Sequence, residues 1–149
     1  MSKKDTAVAC FKQGFACSQA VLFAFADDFG LDHDTAVKLG TPFGGGMGRM
    51  GDTCGAVTGA LLVLGLKFGV ADGSDRAARE ACYEKVRECV QQFKARHQTT
   101  VCRELLGCDI STLEGLAQAR ERNLFATRCV KYVEDAAAIV EGQISGNQR

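Results

Sequence analysis

Apolar residues recur at three- and four-residue spacing along most of the chain, which is the periodicity of an α-helix with one buried face. Alternation of apolar and polar residues, which marks a half-buried strand, is almost absent. The first periodic stretch predicts one helix over residues 6–28, ended by Gly30. A short helix over residues 34–39 follows, and Asp32 is positioned to cap its N-terminus.

Glycine dominates the next segment, because eleven of the seventeen glycines lie between Gly40 and Gly73. The densest run, residues 44–51, cannot form a stable regular helix, since glycine loses the most backbone freedom on folding. We predict a shaped loop there, leading into an apolar helix over residues 53–68. A long amphipathic helix over residues 74–97 comes next.

Three more helices complete the prediction. A short helix over residues 100–106 is ended by Gly107. The Ser-Thr-Leu-Glu run at residues 111–114 is a capping box that opens the next helix. The last helix covers residues 123–141, and the polar tail after Gly142 is expected to fray.

These elements predict an all-α fold, a compact single-domain helical bundle of about five to seven helices over residues 1–149. In this bundle the glycine-rich loop leads into a central apolar helix. The 18 Lys and Arg residues balance 18 Asp and Glu residues, so the formal net charge is zero. Nucleic acid is therefore excluded as a main partner, because phosphate binding needs a basic surplus or a basic patch.

The N-terminal residues Ser2, Lys3, Lys4 and Asp5 are polar, and no apolar segment of the signal-peptide type follows them. The most apolar stretch, residues 55–66, is shorter than the about 20 residues that a membrane-spanning helix needs. We therefore expect a cytoplasmic protein that is not embedded in a membrane. Assembly into a homo-oligomer stays open.

The chain is unusually rich in cysteine. Its eight cysteines are Cys10, Cys17, Cys54, Cys82, Cys89, Cys102, Cys108 and Cys129. In a cytoplasmic protein such richness indicates metal, cluster or thiol chemistry rather than a disulfide framework. No C-x-x-C pair occurs, which excludes a thioredoxin-like motif and a zinc ribbon. With only two histidines, a zinc site would consist mostly of cysteine.

Cys54 is the most informative single residue, because it lies at the predicted start of the apolar helix. The unpaired N–H groups and the dipole of a helix N-terminus favour an anion, so we expect a lowered pKa and a thiolate at Cys54. Gly55 and Gly59 remove side chains from one helix face, so either another helix or a cofactor can approach the backbone closely. Cys82 and Cys89, in contrast, continue an apolar stripe and are interpreted as core residues.

The glycine loop contains a literal G-x-G-x-x-G match from Gly46 to Gly51. The match is weak evidence for a nucleotide site, because a dinucleotide fingerprint needs a preceding strand within a βαβ unit. A nucleotide-binding function is therefore ranked last among the hypotheses. The candidate cofactor-contacting glycines remain Gly46, Gly48, Gly55 and Gly59.

The cysteine segments and the glycine loop together resemble the C_GCAxxG_C_C family of redox-active proteins. The resemblance rests on the first cysteine segment at residues 15–21, the glycine-rich approach at residues 43–48 and the run Cys54-Gly55-Ala56-Val57-Thr58-Gly59, which fits C-G-A-x-x-G. Residues 102–107 and Cys129 supply the third and fourth cysteines of the pattern. The similarity covers nearly the whole chain.

The resemblance implies that four cysteines form the functional set. These are Cys17, Cys54, Cys102 and Cys129. Members of the family are similar to the N-terminal region of split-Soret cytochromes, where an iron–sulfur cluster is associated with the domain. The remaining four cysteines lie outside the pattern, although Cys108 is close enough to Cys102 in the sequence to substitute for it.

Three hypotheses follow. The first is an iron–sulfur centre ligated by the four cysteines and acting in electron transfer or redox sensing with an unidentified redox protein as partner. The second is a metal-free thiol oxidoreductase in which Cys54 is the catalytic thiolate. The third is a structural zinc site in an interaction module. Whether the protein turns over a substrate as an enzyme stays open.

Overall fold

Eight α-helices make up most of the chain in the computed structural model, which describes residues 1–146. They are α1 (Lys3–Lys12), α2 (Cys17–Ala26), α3 (His33–Gly40), α4 (Gly55–Phe68), α5 (Arg76–His97), α6 (Cys102–Leu106), α7 (Leu113–Glu121) and α8 (Val130–Ile144). A π-helical turn at Phe125–Cys129 leads directly into α8. Within residues 1–146 the only strand-like pairing is one antiparallel bridge between Thr53 and Val101. The predicted all-α fold class is confirmed.

The single helix predicted over residues 6–28 is wrong, because the chain breaks between α1 and α2. Gly14 lies there with φ +105°, a conformation that a helix cannot contain. The backbone N–H groups of Gln13 and Gly14 close α1 on the carbonyls of Cys10 and Phe11. This break raises the helix count above the predicted range.

Most other predicted helix ends are confirmed. Asp32 caps α3 by accepting a hydrogen bond from the Thr35 N–H, and Gly30 and Gly107 adopt the left-handed conformation of helix stops. The predicted capping box at residues 111–114 is wrong, because the N-cap is Thr112 and the N3 position is then Gly115, which has no side chain to bond back to the N-cap.

The N-cap of α7 is Thr112, whose hydroxyl accepts from the Gly115 N–H at 2.9 Å, while the Ser111 hydroxyl donates to Asp109. At the C-terminus α8 runs to Ile144, beyond the predicted end at residue 141. Residues 147–149, part of the tail predicted to fray, lie outside the described residues.

Helix α4 packs against α2, α5 and α8 and buries eight residues, including Val57, Val63 and Leu64. It approaches α2 closely, because a Cβ atom placed on Gly59 would lie 2.9 Å from the Ser18 carbonyl oxygen. Cys10 and Cys89 are buried in the same core. Burial of apolar surface in this layer is the main force that holds the helices together.

The fold bears on two possibilities raised by the sequence, a dinucleotide-binding loop and a membrane-spanning helix. No strand precedes the Gly46–Gly51 run anywhere in the described part of the chain, so the βαβ context of a dinucleotide fingerprint is absent there. Among residues 1–146, no helix is both long enough and apolar enough to cross a membrane.

Candidate four-cysteine site

The glycine-rich loop folds back on itself before α4. Gly45, Gly46, Gly48 and Gly51 all have positive φ values between 59° and 74°, where glycine has no steric penalty. The Gly48 N–H donates to the Pro42 carbonyl at 2.8 Å, and the Asp52 N–H donates to the Gly46 carbonyl at 2.9 Å. The loop is therefore held by its own backbone.

The end of this loop is joined to the start of α6, which brings two cysteines together. The Cys54 N–H donates to the Thr100 carbonyl at 2.7 Å, and the Cys102 N–H donates to the Asp52 carbonyl at 2.6 Å. The Arg103 guanidinium adds hydrogen bonds to the Met50 carbonyl and the Asp52 carboxylate, both at 3.2 Å.

Cys17 reaches the same place through the close approach of α2 and α4. Cys17 is the first residue of α2, and Cys54 is the N-cap of α4. A Cβ atom on Gly55 would lie 3.3 Å from the Cys17 Cβ and 3.2 Å from the Ser18 nitrogen. The Ser18 hydroxyl donates to the Gly40 carbonyl at 2.6 Å, which fixes the beginning of α2.

Cys129, the fourth cysteine, ends the π-helical turn before α8. π-Helical turns are rare in proteins overall, and those that occur are often located at functional sites. The Arg128 guanidinium donates to the carbonyls of Leu105 and Leu106, and the Tyr132 hydroxyl donates to the Leu105 carbonyl at 3.0 Å. These bonds tie α8 to the C-terminal end of α6 and so hold Cys129 near Cys102.

The four cysteines of the resemblance line one cavity of about 640 Å³. Cys54, Cys102 and Cys129 are 4%, 8% and 6% exposed, so they form its floor, and Cys17 is half-buried beside them. None of the other cysteines lines it. These are Cys10, Cys82, Cys89 and Cys108.

The four candidate glycines separate into two pairs. Gly46 and Gly55 line the cavity. Gly48 is exposed, and a Cβ atom there would have no neighbour within 4 Å. Gly59 faces α2 instead of the cavity. Close helix packing is thus the visible role of Gly59.

Burial dominates the titration of two of the thiols. It raises the pKa of Cys54 to about 12, and the N–H groups of Ala56 and Val57 lower it by less. The expected lowered pKa at Cys54 is therefore wrong for the metal-free protein, because the helix N-terminus is outweighed by desolvation. Burial likewise raises the pKa of Cys102 to about 12, with the Cys129 charge adding to the effect.

Hydrogen bonding between the Cys17 and Cys129 thiols is the main cause of their pKa shifts. The bond raises the pKa of Cys17 well above its ordinary value and lowers the pKa of Cys129, which the Arg128 charge lowers further. Within this pair the shifts favour a thiolate at Cys129 over one at Cys17.

The donor set suits a metal or a cluster, because cysteine thiolates are the ligands that select zinc and iron–sulfur clusters. In residues 1–146, no group of three or more His, Cys, Asp or Glu side chains is already arranged to hold a metal ion. Binding would require the raised-pKa thiols to lose protons and turn into the cavity, which has room for that rearrangement.

Three features of the site have no counterpart in the sequence-based prediction. They are the π-helical turn, the anchoring of α6 by Arg128 and the contact of Tyr132 with the cavity. The position of Arg128 directly before a candidate cysteine was the one available signal.

Comparison with known proteins gives one match at the family level. A family model described as "Putative redox-active protein (C_GCAxxG_C_C)" matches residues 15–142. That range contains all four cavity cysteines and excludes Cys10. No curated protein matches the chain. No solved structure matches it either.

Proposed function

The chain belongs to the C_GCAxxG_C_C family of redox-active proteins, and from this membership we propose that it holds an iron–sulfur cluster in the four-cysteine cavity. The ligands would be Cys17, Cys54, Cys102 and Cys129. When bound, the cluster would supply one-electron oxidation and reduction. The function would then be electron transfer or redox sensing with a redox protein as partner.

One observation carries the proposal. Four cysteines from separate segments of the chain line a single cavity, although no two of them are closer than twenty residues in the sequence. The remaining cysteines do not line it. Simple burial of thiols in a core would not select these four.

The surroundings support an anionic centre. Cys17 and Cys54 lie at the N-termini of α2 and α4, where the helix dipoles favour negative charge. The N–H groups of Ala56 and Val57 lower the pKa of Cys54, so they favour its thiolate, and the charge of Arg128 does the same at Cys129. These groups would offset part of the cost of burying several thiolates.

The decisive measurement is an absorption spectrum of oxygen-free protein together with analysis for iron, sulfide and zinc. We expect broad absorption near about 400 nm, where thiolate-to-iron charge transfer falls, with iron and labile sulfide in equal amounts. Colourless protein that contains stoichiometric zinc would contradict the cluster and indicate a structural zinc site instead. Colourless protein without metal would overturn both metal proposals.

The opposite pKa shifts of Cys17 and Cys129, two thiols that line the same cavity, favour a second candidate, a metal-free thiol oxidoreductase. In this case the attacking thiolate would be Cys129 rather than Cys54. Cys129 would attack a substrate disulfide and release one substrate sulfur as a thiolate. Cys17 would give that thiolate its proton and then attack the mixed disulfide, so the substrate leaves fully reduced and Cys17 and Cys129 are oxidised to a disulfide.

Thiol reactivity in metal-free protein tests this candidate. Alkylation by iodoacetamide follows the thiolate fraction, so the lowered pKa of Cys129 should let it react at lower pH than the other cavity cysteines. Cys17→Ala removes the thiol that interacts with Cys129 and should move the Cys129 reaction to higher pH. Mass spectrometry of the labelled peptides resolves each site.

Cys82→Ala is the matched control for this test, since Cys82 does not line the cavity. It should leave the pH profile of Cys129 unchanged. Preferential labelling of Cys54 at low pH, or an unchanged Cys129 profile in Cys17→Ala, would contradict the assignment of Cys129 as the thiolate.

A further inference from the structure

The cavity at the cysteines is lined by charges of only one sign. Lys12, Arg49 and Arg120 line it, and no aspartate or glutamate does. All three are exposed, and none makes an ion pair or a side-chain hydrogen bond with another residue in the range 1–146. Arg103, just outside the cavity lining, is by contrast paired with Asp52.

The lining changes in character with depth. Its most buried members include Cys54, Cys102 and Cys129, and its exposed members include the three basic residues. Three aromatic side chains of the lining are half-buried. These are Phe11, Phe15 and Phe125. The lining thus combines exposed cations, half-buried aromatic rings and buried thiols.

We propose that this cavity binds a small organic anion with an aromatic body. Its anionic group would lie among Lys12, Arg49 and Arg120, where unpaired cations attract it. Its ring would pack on the three phenylalanines, because stacked or edge-on aromatic contacts add to the burial of apolar surface. One end of the molecule would then reach the cysteine floor.

The size of the cavity agrees with an occupant of this kind. Its volume of about 640 Å³ falls within the roughly 300–1,000 Å³ range of sites for drug-sized ligands. A cluster consists of only a few heavy atoms and would take up the cysteine end alone. A redox role for the bound anion rests on the proposed function, since the anion would lie beside the cluster. Binding of the anion itself needs no metal.

Naphthoate and its uncharged analogue naphthalene methanol are the probes that test the inference. Calorimetric titration of oxygen-free protein should show naphthoate binding about fivefold more tightly than the alcohol, with the difference shrinking in high salt. The double substitution Arg49→Gln/Arg120→Gln should weaken naphthoate about fivefold and leave the alcohol unchanged.

Two further variants separate cavity binding from general charge effects. Lys4→Gln/Arg122→Gln removes the same charge from exposed residues that do not line the cavity, and it should change neither affinity by more than about twofold. Ala126→Phe fills the cavity from an exposed lining position and should weaken both probes.

Equal affinities for acid and alcohol, absence of binding, or an equal effect of the two double substitutions would overturn the inference. Iron and sulfide are measured on the same samples. Charge-selective binding of naphthoate to protein without iron would keep the inference and end the cluster proposal. Iron-loaded protein that binds no naphthoate would keep the cluster proposal and overturn the inference of an anion site.

Discussion

Replacing Gly46 with alanine is expected to lower the free energy of unfolding by roughly 2–5 kcal/mol and to disturb Cys102. Gly46 has φ +70°, which costs an L-residue about 1–2 kcal/mol. A Cβ atom would also lie 2.6 Å from the Asp52 nitrogen and 2.8 Å from the Cys102 Cβ. Overpacking of this kind adds about 1–3 kcal/mol. Denaturant unfolding measures the change.

Gly48→Ala is the matched control, because Gly48 lies in the same loop with φ +59° and a Cβ atom there would meet nothing within 4 Å. It should cost only the conformational part, about 1–2 kcal/mol, and leave the cysteine chemistry unchanged. Equal decreases in the free energy of unfolding of the two variants would show that the loop relaxes around residue 46. Crowding against Cys102 would then not constrain that position.

Local signals in the sequence were sufficient for the helical class and most helix ends. Asp32 caps α3 because its side-chain oxygen can reach an orphan N–H group, a preference that needs no knowledge of the fold. Gly30 and Gly107 end helices for an equally local reason, since only glycine adopts the left-handed conformation easily.

The break between α1 and α2 had one local signal, Gly14, but the apolar period on either side of it favoured a single helix. Phe11 and Phe15 are four residues apart, so the apolar period continues through Gly14 as if one helix were present. In the structure both phenylalanines line the same cavity, but from opposite sides of a turn. The pattern records which side chains face the interior, and two short helices with a common interior produce the same pattern as one.

The residues that form the site were easier to predict than the chemistry of their thiols. Reasoning from the residues placed Cys54 at a helix start, as the structure does, but not the depth of its burial. Since desolvation depends on tertiary packing, the direction of its pKa shift was missed. The selection of Cys17, Cys102 and Cys129 came from the family resemblance, because their approach depends on long-range contacts.

Cys54→Ser is expected to abolish most of the proposed cluster while leaving the fold intact. A serine hydroxyl is a poor substitute for a thiolate ligand, so iron and sulfide content should fall by more than about tenfold. Cys54 is the N-cap of α4, a position that serine favours, so the free energy of unfolding of the metal-free protein should change by less than about 1 kcal/mol. Metal analysis and denaturant unfolding of the same preparations measure the two effects.

Cys82→Ser provides the comparison, because this thiol is half-buried on α5 and does not line the cavity. It should retain its iron and sulfide. Full loading of Cys54→Ser would remove Cys54 from the ligand set. Equal losses of iron and sulfide in the two serine variants would contradict a specific ligand role for Cys54, since of these two thiols only Cys54 lines the cavity.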